Sequence, residues 1–231
     1  MIELRPFASL GTLDIDWLTA RYHFSFSRYY DPARMGLGSL RVWNDDQVRA
    51  GTGFEPHSHR DMEIITYVRK GAITHEDNLG NKGRTAAGDV QVMWAGSGIT
   101  HAEYNRESED TLLFQIWIET ARPGIAPGWE ARAFPKEPGQ VIALASGRDL
   151  PDHAGALPLH QDAAILGGVL TPGQTLTLPS KGRKLYIVPT TGALRVGDHT
   201  ARARDGVAIW DEAEITLTAL EETEVVIADV A

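Results

Sequence analysis

The chain has 231 residues and no cysteine. That absence excludes disulfides, thiolate metal sites, iron–sulfur clusters and a cysteine nucleophile, and it fits a reducing compartment. Positive charge is in short supply. Lys and Arg number 22 against 31 Asp and Glu, for a formal net charge of −9. Such a balance repels polyanions, so no direct nucleic-acid contact is expected. Long apolar runs are missing too, and none approaches the roughly 18 residues that a membrane span needs. The opening stretch carries Glu3, Asp14 and Asp16 and lacks the basic start, apolar stretch and small-residue cleavage site of a signal peptide. The expectation is a soluble, cytoplasmic, globular protein without a membrane partner. No glycine-rich cofactor loop is present either, so any chemistry needs another carrier.

Amphipathic helices are scarce, whereas short β-type runs bounded by turn signals recur throughout. Met62–Val68, Asp89–Trp94 and Leu112–Ile118 read as strands, nearly all apolar and therefore covered on both faces. Pro and Gly then cluster at Arg122–Gly128 and again at Phe134–Gly139, as in a linker. The strand rhythm restarts beyond it, at Val141–Ala145, Ala164–Leu170, Leu185–Val188, Val207–Trp210, Ile215–Leu217 and Glu224–Ile227. The pattern suggests a duplicated all-β domain, with one unit over residues 1–130 and a second over 131–231. The run Glu221-Glu222-Thr223-Glu224 reads as a solvated turn.

His57 and His59 lie two apart, as do His101 and Glu103. In a strand, residues two apart share a face, so two neighbouring strands could aim three imidazoles and a carboxylate at one point. Neutral nitrogens and an anionic oxygen suit a divalent first-row metal. Glu63 competes for the carboxylate position, and parity does not decide, because His57, His59, Asp61 and Glu63 would share a face in one strand. The second unit holds His153, His160 and His199, none in an H-x-H pair.

Two segments carry a resemblance. Gly51, His57-x-His59 and Glu63 match the first motif of the cupin barrel, and Gly88 to Asn105 matches the second, with two extra residues and Trp94 where proline is common. More closely, His57-Ser-His59-Arg-Asp61-Met-Glu63, Gly71, His75, Asp77, Gly88-Asp-Val-Gln91, Gly98-Ile-x-His101-x-Glu103-x-Asn105, Leu40–Asp46 and Gln115-Ile116-Trp117 resemble the pirin family. The later Gly206–Glu212 is similar to its bacterial quercetinase-like branch. The resemblance implies an all-β bicupin of two jelly-roll barrels. It implies one metal ion held by His57, His59, His101 and Glu103, with Glu63 in a supporting role and the C-terminal barrel without metal. Iron(II) is favoured on resemblance, with nickel, manganese, cobalt, copper and zinc as alternatives.

It further implies a quercetin 2,3-dioxygenase-like activity on a flavonol-like substrate and dioxygen; in a physical mechanism for that reaction Glu103, a ligand of limited basicity, is the candidate base. The rival it implies is a pirin-type regulatory protein that binds a protein partner and uses the metal as a redox sensor. A different cupin enzyme, such as a sugar isomerase, is the second rival. The remaining polar groups carry plainer readings. His75, Glu76 and Asp77 read first as a solvated strand end, with the site entrance as the other reading. His23 reads as a packed core histidine. Asn105 either orients a ligand or makes a turn. Trp94, Phe114 and Trp117 read as core, with an aromatic substrate wall as the other reading.

Overall fold

Apolar runs with strand-forming side chains fold as strands wherever the sequence pattern places them: Met62–Lys70, Asp89–Trp94, Thr111–Glu119, Gln140–Ser146, Ala163–Leu170, Lys184–Pro189, Gly206–Ile209, Glu214–Ala219 and Thr223–Val230. The structure, a computed structural model, describes residues 1–134 and 136–231; Pro135, within the expected linker, lies outside them. Among the described residues the regular elements are strands and two single 3-10 turns, and no helix is long and apolar enough to cross a membrane.

The strands form two barrels, each made of a seven-stranded and a four-stranded sheet. In the first, the large sheet runs Gly128–Ala133, Asp89–Trp94, Met62–Lys70, Thr111–Glu119, Leu40–Val48, Leu18–Tyr22, Gly11–Ile15. Its small sheet runs Gly53–His59, Ile99–Tyr104, Ala72–Asp77, Lys82–Ala86. In the second, the large sheet includes Gly206–Ile209, Lys184–Pro189, Thr223–Val230 and Ala163–Leu170, and the small one Thr175–Pro179, Glu214–Ala219, Ala193–Val196, His199–Arg202. The fold is the all-β double barrel expected from the sequence.

Three local readings change. The Pro/Gly-rich stretch is not one continuous linker: Gly128–Ala133 is a strand that pairs along Asp89–Trp94. The first strand, Ile2–Arg5, pairs antiparallel with Gly206–Ile209, so the start of the chain joins the second barrel's sheet. The acidic run is not wholly a solvated turn. Thr223 is buried, and Glu224 is a strand residue bonded to Tyr67 of the first barrel and to Lys136.

The two large sheets share one core. Trp43, Ile65, Tyr67, Phe114 and Ile116 from the first barrel cluster with Leu144, Ile165, Tyr186, Val188 and Val226 from the second. A jointly buried hydrocarbon face of this kind fixes the barrels to each other, since separating them would expose it to water. His23, fully buried, sits at this junction as a core histidine and bonds the Tyr186 hydroxyl at 2.8 Å. The second barrel's interior is filled: Leu178, Leu217, Leu194, Val196 and Ile187 pack together where the first barrel has a cavity.

Candidate metal centre

The small sheet of the first barrel positions the histidines. In its antiparallel ladder His101 stands opposite His57 and Ile99 opposite His59. Directly opposed residues project from the same side of the sheet, so His57, His59, His101 and Glu103 share a face. The register slips between His101 and Glu103, which faces Phe54. Pro56 lies in the slipped segment and has no N–H to give the ladder. Bulges of this sort re-aim side chains beside sites.

The ligand nitrogens of His57, His59 and His101 lie within 4.8 Å of one another. Their ring centroids are 4.8, 4.5 and 5.1 Å apart. His57 Nδ1 is 2.7 Å from the Glu55 carbonyl oxygen. A carbonyl only accepts, so Nδ1 carries the proton and Nε2 keeps its lone pair. The Nε2 atoms of His59 and His101 are buried without any hydrogen-bond partner among the described residues. Burial, reinforced by the neighbouring imidazoles, lowers His59 to about 4 and His101 to about 3. Both are therefore neutral near pH 7, the form that binds a metal. Orphaned, neutral, convergent nitrogens fit a divalent ion and have no other evident use.

Glu103 is held from both sides. Its Oε1 accepts from Gln91 Nε2 at 2.5 Å and Thr66 Oγ1 at 3.3 Å, and its Oε2 from Gln115 Nε2. The carboxylate offers a ligand atom within 4.8 Å of those of His101 and His75, while lining the same cavity as His57 and His59. His101 is thus the common member of two ligand-capable trios.

Glu63 goes elsewhere. Asp61 adopts a left-handed conformation, φ 49°, and ends the His57 strand before a new one starts at Met62. The shared-face count from His59 to Glu63 therefore does not hold. Glu63 Oε2 accepts the His160 backbone N–H at 2.6 Å from the second half of the chain. Burial pushes its carboxyl up, against that hydrogen bond.

His75 and Asp77 correct the solvated reading: both side chains are fully buried and bonded to each other. Asn105 makes a turn, donating to the Val48 and Glu109 carbonyls and accepting from Glu107 N–H. Phe114 is core, whereas Trp117 lines the cavity and Trp94 packs on His160.

The cavity holds about 710 Å³ and is walled by Trp17, Tyr22, Phe26, Phe54 and Trp117, with His57, His59 and Glu103 at its polar end. Trp117 meets His59 edge-on at 4.9 Å and Phe26 at 5.4 Å. Asn44 and Asp46 also line it, each buried with an unpartnered Oδ1. Burial and the charges of Asp45 and Glu103 drive the Asp46 carboxyl well above the usual range. Asn44, Asp46, Thr66, Gln91 and Gln115 carry no role in the sequence expectations. The available signal was a polar residue at an inward position of an otherwise apolar strand, as Gln91 is in Asp89–Trp94.

The Pirin family profile matches residues 3–118, and that of the quercetinase C-terminal cupin domain matches residues 144–230. A pirin-like protein of Caulobacter vibrioides is 56% identical over the full length of both chains. A quercetin 2,3-dioxygenase of Escherichia coli is 40% identical, covering 99% of this chain and 98% of its own. The crystal structure of the bacterial pirin YhhW from Escherichia coli, in complex with nickel(II), superposes with a TM-score of 0.93 at 39% identity, covering 100% of this chain and 99% of that one. The chain belongs to the pirin family.

Proposed function

We propose that the chain is a metal-dependent dioxygenase that cleaves a flavonol such as quercetin with dioxygen, yielding a depside and carbon monoxide. His57, His59, His101 and Glu103 hold the metal, and iron(II) is the favoured ion; the nickel(II) bound by YhhW keeps nickel beside it. The unit expected over 1–130 supplies this site and the one expected over 131–231 has none, although the strand Gly128–Ala133 crosses that boundary and Ile2–Arg5 pairs into the second barrel. The observation that carries the reading is the placement of unpartnered, neutral imidazole nitrogens at the polar end of an aromatic-walled cavity.

A cavity of about 710 Å³ falls within the range of about 300–1,000 Å³ that takes ligands of this size. The walls of Trp17, Phe26, Phe54 and Trp117 suit a flat aromatic polyphenol, and once it is bound they exclude water. When bound, a divalent metal with open positions acidifies a coordinated hydroxyl and stabilises its anion. Glu103 accepts the 3-hydroxyl proton at a carboxylate oxygen. Gln91 and Gln115 keep that carboxylate aimed while its charge changes. The ring-opening consumes one dioxygen and releases one carbon monoxide, so no external reductant enters.

The test is oxygen uptake and carbon monoxide release with quercetin under air, paired with metal analysis. His57→Ala and His101→Ala lose both metal and turnover. Glu103→Gln loses turnover more than metal. Full turnover by metal-free protein overturns the reading, as does activity on any substrate without oxygen.

A further inference from the structure

A third pair of residues two apart lies beside the histidine strands. His75 and Asp77 sit on Ala72–Asp77, where Asp77 faces His101 across the ladder and His75 faces Glu103. His75 Nε2 is 2.9 Å from Asp77 Oδ2, and His75 Nδ1 is 3.4 Å from His101 Nδ1. The Asp77 carboxylate is fixed in turn: Oδ1 accepts the Leu79 and Asn81 backbone N–H groups, and Oδ2 accepts Asn81 Nδ2. The His75 ring stacks on Trp129, 4.9 Å between centroids and 8° between planes. Gly83 leaves room for that indole, because a Cβ there would lie 2.2 Å from it.

We propose that Asp77 and His75 form a positioning relay that holds His101 as its Nδ1–H tautomer and so presents the Nε2 lone pair to the metal. Donors and acceptors along the chain of contacts fix this tautomer. A carboxylate only accepts, so His75 Nε2 carries a hydrogen. The relay gives His75 that one hydrogen, so its Nδ1 is a bare lone pair facing His101. The facing His101 Nδ1 must then be the donor, and His101 Nε2 is left bare. That Nε2 is a buried atom with no hydrogen-bond partner among the described residues. The opposite tautomer would set two lone pairs face to face in a buried site and point an N–H into the metal position. His57 reaches the same state by a shorter route, through the Glu55 carbonyl. Neither His75 nor Asp77 is a catalytic residue; both act through His101.

The relay rests on His101 being a ligand in the proposed function and says how its tautomer is chosen. His75 is itself a member of a ligand-capable trio with His101 and Glu103, so direct ligation is the competing outcome. The experiment is a long-range proton–nitrogen correlation spectrum of the full chain, labelled with ¹⁵N-histidine and stripped of metal, at pH 7.5. The expected result is one tautomer each: Nδ1–H for His101 and Nε2–H for His75. Nε2–H at His101, or a mixture of its two tautomers, overturns the relay. This readout needs neither metal nor substrate, so it stands apart from any failure of the dioxygenase reading.

Two variants extend the test. His75→Phe keeps a ring against Trp129 but removes the acceptor. It should release His101 into both tautomers and weaken zinc(II) affinity about 10–100-fold in chelator competition, with equimolar binding retained. His75→Asn restores an acceptor near the Nδ1 position and should recover part of that loss. An unchanged His101 tautomer in His75→Phe overturns the relay. Loss of equimolar zinc in that variant overturns it too, and makes His75 a ligand.

Discussion

Gln91 donates to Glu103 Oε1 at 2.5 Å while its own Oε1 accepts the Thr85 hydroxyl at 2.9 Å. The hydroxyl fixes which end of the amide faces the carboxylate. Gln115 is set the same way on the other side, its Oε1 accepting Trp117 Nε1–H at 3.2 Å. Gln91→Leu removes one donor and leaves a buried carboxylate oxygen short of partners, which costs about 1–3 kcal/mol. Zinc(II) affinity measured against a chelator should fall about 10–100-fold. Wild-type affinity in Gln91→Leu would show that Glu103 needs no such aiming.

Much of the candidate centre is legible in the sequence because a strand has a period of two. His57 with His59, and His101 with Glu103, announce a shared face without any knowledge of the fold. The strands were legible for a similar reason, since runs such as Leu112–Ile118 are apolar and β-branched or aromatic. Legibility stopped where one residue changes the backbone path. Asp61 at φ 49° resets the face between His59 and Glu63, and nothing in local parity announces that. His75 looked solvated because its cover, Trp129, comes from a strand hidden in a Pro/Gly-rich stretch. The pairing of Ile2–Arg5 with Gly206–Ile209 depends on a contact about two hundred positions away, beyond any pattern read along the chain.

Asp45 ties the two barrels. Its fully buried carboxylate receives Arg69 from the same barrel and Arg204 from the other. Asp45→Asn leaves two guanidiniums beside each other with their common anion gone. Breaking a buried pair costs about 3–5 kcal/mol, and the partial exposure of Arg204 trims this to about 2–4. Urea unfolding at pH 7 should show that loss. A midpoint within error of the wild type would mean the shared apolar core alone holds the barrels.

Burial lowers His23 from its ordinary 6.5 to about 3, with nearby arginines adding to the effect. The folded chain thus keeps His23 neutral where the unfolded chain protonates it. Between those values the unfolded state binds the extra proton, so stability falls as pH drops from 6.5 toward 3 and is unaffected by this group above 6.5. The slope from this one residue approaches about 1.4 kcal/mol per pH unit. His23→Gln cannot titrate, so its unfolding free energy should lose less than the wild type's on going from pH 6.5 to 4.5. Equal slopes in the two proteins would refute the assignment.

Trp117 has two separable duties, because its ring walls the cavity and its Nε1–H orients Gln115. Trp117→Phe keeps an aromatic wall and removes the hydrogen bond. Under the dioxygenase reading its KM for quercetin stays near that of the wild type while kcat falls several-fold, because the Gln115 amide is free to turn away from Glu103. Trp117→Ala opens the wall as well, so KM rises too, and His59 loses the edge-on ring at 4.9 Å that limits its motion. Steady-state kinetics under air separates the two effects. If both variants change KM alone, Trp117 serves only as a wall, and the Glu103 carboxylate is aimed without it.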